Sequence, residues 1–531
     1  MSDGAAPTAP GAEPARAPVV EGHEEALYTP ANRPILIVGA MAAMLMQVLD
    51  TTIANVALPH MQATLSATTD TITWVLTSYV LATAIALPAA GWMVDKLGIR
   101  TVFVGSVVGF TLASVLCGSA QTLPQMVFFR VVQGVAGAFL APLAQTTLLD
   151  VSSAKERPRM MILFSQGVLI GPILGPLLGG YITESYSWRW VFFINVPIGA
   201  ITALVLFAML PKQKGRARSF DKRGWLVLAV GLGAFQLMLD RGPSQDWFDS
   251  AEIVAYAVMS ASAAWMAIVH LVTKQDSIFP RDLFRDANLV LCAAMTFVLG
   301  IMLMSVMALL PGLLQSLQGY TAVDTGWLMT PRGFGMLISM TLAGKLIQSL
   351  DPRISVGAGL AITGYSMWMM KSWALVMPAS DIFIAGLVQG CGFALMFMPL
   401  QILAFATLPG KFRTDATSLL NLVRNIGQSI GLAVCTVLLS RNIQINHAEI
   451  GSRVTHSSLP VDPAQLDRFG NMGEAAMRTL DGMVTQQAAM IAYLNDFYLM
   501  AWVSWAAIPL LLFARPPKRG KAQTAPADIP H

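Results

Sequence analysis

Charge is what this chain has least of. Asp, Glu, Lys and Arg supply 12% of its 531 residues while hydrophobic residues supply 55%, against about 25% charged residues in ordinary soluble domains. A soluble enzyme is excluded by that balance, and the net charge of +4 supports no nucleic-acid partner. Cysteine is scarce too. The four present, Cys117, Cys292, Cys391 and Cys435, fall inside apolar runs without the spacing of a disulfide framework or a zinc site, and read as small apolar residues in helix interfaces. No GxxxxGK[ST] loop occurs, which removes ATP as the energy source and leaves ion gradients. His60 and His270 have no ligand partners at i+3 or i+4, so no metal or cofactor is expected. Residues 1–33 are rich in Ala, Pro, Gly and Glu with no apolar core. They read as a disordered tail, and no cleaved signal peptide is expected.

What the sequence does have is long apolar runs, each near the roughly 20 residues that cross about 30 Å of hydrocarbon. They cover approximately 34–56, 71–93, 101–120, 124–149, 159–182, 190–210, 224–240, 252–273, 288–314, 323–346, 354–375, 381–407, 415–440 and 491–514. Runs this continuous exclude the alternating strands of a barrel, so the expected fold is an all-α polytopic membrane protein with 14 transmembrane helices.

Orientation follows from the basic residues. With the N-terminus inside, 24 of the 34 Lys and Arg fall on inside segments and only Arg189, Arg241 and Lys371 on short outside loops. Both termini are therefore expected in the cytoplasm. Arg130, Arg332 and Arg424 lie within spans instead. The connection 441–490 is an outside loop, too long for a simple turn.

The chain also repeats itself. "GWMVDKLGIR" (Gly91 to Arg100) reappears as "GKLIQSLDPR" (Gly344 to Arg353), and "VQGVAGAFLAPLAQ" from Val132 as "VQGCGFALMFMPLQ" from Val388. An offset of eight helices fits two six-helix halves separated by two extra helices. The expected division is a tail (1–33), an N-terminal bundle (34–210), a linker with two helices (211–287), a C-terminal bundle (288–514) and a second tail (515–531). Close helix packing explains the repeated Gln-Gly and Pro-Leu. Charges present in one copy only are harder to explain that way: Gly386 stands where the first copy has Arg130, and Gln348 where it has Asp95.

"LDTTIANVALP" (Leu49 to Pro59), "GWMVDKLGIR", "FFRVVQGVAGA", "GVLIGPILGPLLGGYI" (Gly167 to Ile182) and "SWRWVFFINVPIG" (Ser187 to Gly199) occur in order. Together they resemble the motifs of the major facilitator superfamily, specifically the fourteen-helix drug:proton antiporter group and its EmrB-type multidrug efflux pumps. The resemblance covers about 34–515. It implies an inner-membrane antiporter that exports lipophilic compounds against protons by alternating access. A periplasmic adaptor and an outer-membrane channel are possible partners, with 441–490 as the docking segment. Ile99 departs from the family, where a second basic residue is common.

An acid at bilayer depth persists only if it is paired, buried or facing water. Asp50 lies about six residues, or roughly 9 Å, below the outer end of a first helix ending near Val56, and Arg130 lies at the same depth in helix 4. If separated from the arginine during transport, the carboxylate could take up a proton. Asp50 is therefore the leading proton-coupling residue, and a static ion pair is the alternative. The resemblance assigns Gly91, Asp95, Lys96, Gly98 and Arg100 to conformational gating, through contact with a neighbouring helix end. Gly167, Gly171, Gly175 and Gly179 recur every four residues on one face, which lets another helix approach closely, and Pro172 and Pro176 beside them bend helix 5; a bend and close contact at the interface between the halves is expected to seal the cavity against proton leak. Arg332 and Arg424 are candidate cavity charges. A dedicated exporter or importer of one metabolite, such as a siderophore or fatty acid, is the rival reading. A receptor or membrane enzyme is more remote.

Overall fold

The computed structural model describes residues 30, 32–153, 156–212, 219–274, 277–346, 351–405, 407–408, 412–453 and 472–513. Both expected tails, apart from a few residues beside α1, lie outside them. The described chain is helical, with no strand among the described residues. Its long rods are α1 (Arg33–Thr64), α2 (Trp74–Leu97), α3 (Ile99–Gly118), α4 (Leu123–Asp150), α5 (Arg157–Ser185), α6 (Trp190–Met209) and α7 (Lys222–Arg241). Then come α8 (Ala251–Thr273), α9 (Ala287–Leu317), α10 (Ala322–Leu346), α11 (Pro352–Met370), α12 (Ala379–Phe405), α13 (Arg413–Arg453) and α14 (Met472–Ala506). Eleven helices among the described residues are long and apolar enough to cross a membrane; α5, α10 and α11 are not in that count.

Local chemistry starts and bends these rods. Asn32, Thr122, Asp221, Asp286 and Asp351 each accept a first-turn backbone N–H of α1, α4, α7, α9 and α11, satisfying donors that the helix itself leaves open. Gly98 takes φ +80°, a conformation a Cβ would oppose, and so reverses the chain between α2 and α3 within one residue. Pro142 cannot donate to the carbonyl four residues earlier, and α4 breaks between Gly137 and Leu140. The Gln47 side chain of α1 accepts the N–H of Ala141 beside that break at 3.0 Å.

Packing repeats with a shift of eight helices. In the first half α1 packs on α5 and α6, α4 on α2 and α3, and α3 on α6; in the second, α9 packs on α13 and α14, α12 on α10 and α11, and α11 on α14. The halves meet where α5 touches α10 and α12, and where α4 and the end of α2 touch α13. The added pair, α7 and α8, pack on each other, and α7 also lies against α2 and α13. Only 17% of the α7 span and 11% of the α8 span is buried, so this pair sits at the periphery. Asp221 at the start of α7 joins their ends, accepting from Lys274 and contacting His270, both at 2.7 Å. Burial works against its charge, but those two partners outweigh it and hold the carboxyl below the usual carboxylate range.

Two expected boundaries are wrong for one reason. Helix 1 continues past Val56 to Thr64, and the expected outside loop 441–490 is helical up to Arg453 and again from Met472, with 454–471 outside the described residues. Polar residues end an apolar run without ending a helix. The 41 residues of α13 span about 60 Å, about twice the hydrocarbon thickness, so α13 and α14 project together from the membrane. His447 meets Asp481 at 3.0 Å across that projection.

Candidate functional site

Asp50 and Arg130 meet in the middle of the first bundle. Arg130 Nη1 donates to Asp50 Oδ2 at 2.6 Å, with both side chains fully buried. The other carboxylate oxygen accepts from Gln133 Nε2 at 2.8 Å and Asn195 Nδ2 at 3.2 Å. Arg130 Nη1 also donates to Gln133 Oε1 at 2.8 Å, and its Nε to the carbonyl of Val75 at 2.9 Å. Ser114 accepts from Asn195 at 2.9 Å and donates to the carbonyl of Phe192. The Tyr79 ring covers the guanidinium, 4.2 Å from its centre.

Five helices thus contribute: α1, α2, α3, α4 and α6. Arg130 neutralises a carboxylate that would otherwise be untenable at this depth and two amide donors satisfy its other oxygen, while one guanidinium nitrogen, Nη2, has no partner. Asp50 lies well inside α1, eight residues before Leu58, where the apolar part of that helix ends. The matched depth read from the sequence survives because both helix ends shift outward.

Gln133, Asn195 and Ser114 were missed by sequence reasoning. Gln133 belongs to the repeated Gln-Gly and passes as packing; Asn195 stands in "FFINVPIG". The available signal was polarity inside apolar runs. The counterpart Gln389 is fully buried with neither amide atom partnered, so the repeat keeps the glutamine but not its hydrogen bonds.

At the basic end of the first bundle, Gly91 lies so close to Asp415, in the first turn of α13, that a Cβ on it would fall 1.7 Å from the carboxylate. Asp95 and Lys96 complete that turn of α2, with Lys96 Nζ 4.8 Å from the Trp92 ring. Gly98 makes the reversal, and Arg100 covers Phe207 of α6. Around the same end Arg413 Nη1 pairs with Asp150 at 3.0 Å. Gln145 donates to Gln401 at 2.9 Å, and Thr146 lies 3.3 Å from Thr417. The halves are therefore locked together at the end that carries Gly91, Asp150 and Arg413.

The glycine stripe of α5 does not line the interface between halves. A Cβ on Gly167 would meet Met44 and Met41, one on Gly171 Val48, one on Gly175 Thr52 and one on Gly179 Ile53, all residues of α1. The side chains of Pro172 and Pro176 lie outside the described residues. In the second bundle Arg332 is buried, its three guanidinium nitrogens have no hydrogen bond, and Phe393 is its aromatic neighbour at 5.0 Å. Arg424 donates to Asn421 at 2.6 Å. Neither joins the Asp50 cluster. The four cysteines are free thiols, and no cluster of metal-ligating side chains occurs among the described residues.

Residues 40–432 match the family described as the Major Facilitator Superfamily. The chain belongs to that superfamily. It is accordingly a multi-pass membrane transporter. A relative in Escherichia coli (strain K12), "Multidrug export protein EmrB", is 33% identical over 495 residues, covering 91% of this chain and 95% of the relative. "Fatty acid resistance protein FarB" of Neisseria gonorrhoeae is 31% identical, covering 90% and 94%. The solved human organic anion transporter MFSD10 (TETRAN) shares the superfamily fold with TM-score 0.58 at 12% identity, covering 90% of this chain and 99% of that one.

Proposed function

We propose that the protein is a proton-coupled exporter of lipophilic drugs in the inner membrane, with both termini in the cytoplasm. The buried Asp50–Arg130 pair carries the reading. Its two states are an ionised carboxylate held by Arg130, Gln133 and Asn195, and a protonated carboxyl released from the guanidinium. Re-forming the pair expels the proton.

The α5 stripe gives the pair a route to the rest of the molecule. Val48 and Thr52 flank Asp50 on α1 and sit against Gly171 and Gly175. Because α5 packs in turn on α10 and α12, a shift of α1 on neutralisation moves one bundle against the other. The two bundles (34–210 and 288–514) rock about this seam, and the segment 211–287 supplies the peripheral pair. With the basic end cytoplasmic, the locked state is the outward-facing one. The projecting ends of α13 and α14 would dock a periplasmic adaptor leading to an outer-membrane channel. The multidrug exporters among its relatives support the substrate class.

Inverted vesicles report the reaction directly. A panel of lipophilic dyes should release protons from wild-type vesicles, and Asp50→Asn, at matched expression, should still bind dye without proton release. Normal exchange by the variant would make the pair a structural device.

A further inference from the structure

Asp496 is a buried acid with no part in the cluster around Asp50. It lies on α14, 1% exposed, in the face carrying Ala489, Ala492, Tyr493 and Met500, all buried. Its Oδ2 has no hydrogen-bond partner, and no ion pair to the carboxyl forms among the described residues. No compensating charge reaches it from the described residues of the helices packed against this face. From α13 the titratable neighbour is Cys435, and from α14 itself Tyr493. Ser305 of α9 donates to the carbonyl of Ile301 in its own helix. Lys371, just past α11, lies over the ring of Tyr498 at 4.3 Å. None of them pairs with the acid.

The repeat makes this placement informative. In the first bundle the acid is on α1, its arginine on α4, and α6 contributes Asn195. Counting back from the matching Pro59 and Pro311 puts Met302 of α9 where α1 has Asp50, and Gly386 of α12 stands for Arg130. The second bundle thus has neither member of the pair. It instead carries an acid on α14, the counterpart of α6. An acid buried in a bilayer-spanning helix is rare, and among the described residues no cation neutralises it, so a proton is the ligand that fits.

We propose that Asp496 is a second proton-binding site, belonging to the C-terminal bundle and separate from Asp50. Its use in transport rests on the antiport reading above, but its occupancy does not. Infrared difference spectra of the purified full-length protein in lipid nanodiscs, taken across pH, read protonated carboxyls directly. Wild type should show a titrating carboxylic-acid band that shifts in D2O and is missing from Asp496→Asn but kept in Asp50→Asn. Identical titrating bands in wild type and Asp496→Asn would overturn the proposal. If that variant does not fold, Cys435→Ser and Tyr493→Phe keep the acid and alter its neighbours. Each should move the midpoint of the band, and midpoints unmoved in both would overturn the proposal equally. The vesicle assay reads flux and the spectra read occupancy, so either idea can fail without the other.

Discussion

Asp50 and Arg130 were legible as a pair because each stands alone in an apolar run; the rest of their environment was not. A carboxylate at this depth needs hydrogen bonds beyond its one counter-charge, and the chain meets the need with neutral amides from α4 and α6 that are 62 residues apart (Gln133 and Asn195). Removing one partner of a buried pair leaves the other uncompensated, at a cost of about 3–5 kcal/mol. Arg130→Met should therefore lower the thermal midpoint of the purified protein markedly. Arg130→Lys keeps the charge but cannot reach Asp50, Gln133 and the Val75 carbonyl together, and should cut proton exchange by about tenfold or more with a smaller thermal loss. Retention of full exchange by the lysine variant would reduce the arginine to a point charge. Arg332 is the opposite case, a buried cation without a hydrogen bond or an acid among the described residues. Arg332→Met should raise the thermal midpoint, because it removes a buried charge whose desolvation no partner offsets. A fall instead would reveal a stabilising partner of that guanidinium.

At the scale of the element, the stripe on α5 shows how spacing and partner separate. Four glycines at intervals of four had to share a face, but nothing in α5 says which helix fills it. The tertiary structure seats α1 there, with Thr52 Oγ1 only 2.0 Å from where a Cβ on Gly175 would fall. Gly175→Ala should destabilise the protein by about 1–3 kcal/mol through overpacking and slow transport. Gly180→Ala, one residue outside the clash zone with nothing within 4 Å of its Cβ position, should be neutral or slightly stabilising. Equal effects from the two would remove α1–α5 contact as the cause. Another inter-element tie reads out through pH. Arg33, in the first turn of α1, donates to Glu156 at the start of α5, and with the Ser153 hydrogen bonds it holds that carboxyl near 2, below its ordinary 4.5. A depressed acid stabilises the fold above its unfolded value and loses that contribution as pH falls through the folded one. Between about pH 4.5 and 2, wild type should lose thermal stability more steeply than Glu156→Gln; parallel curves would mean that the pair contributes nothing.

Over the whole molecule, the contacts between bundles described at the basic end include one ion pair, Asp150–Arg413, in which Arg413 is almost wholly buried. Because the pair spans two bodies that must part, it stabilises one conformation selectively. Asp150→Asn should shift the population toward the state open at that end by about tenfold for each 1.4 kcal/mol lost. Labelling of an engineered cavity cysteine from the basic side, in a background without the four native thiols, measures the shift. Unchanged labelling would place the lock in the Gln145–Gln401 and Thr146–Thr417 contacts.

The sequence by itself determined the all-α membrane class, the eight-helix repeat and the Asp50–Arg130 pairing. Each depends on hydrophobic length, periodicity or an isolated charge, and those quantities are local. It misplaced the ends of α1, α13 and α14 because polarity marks where lipid stops and hydrogen bonding decides where a helix stops. It left Asp496 unremarked and the partner of the α5 stripe unknown. Burial without a counter-charge, and the choice of α1 over the opposite bundle, are relations between helices far apart in the chain. Only tertiary packing sets them.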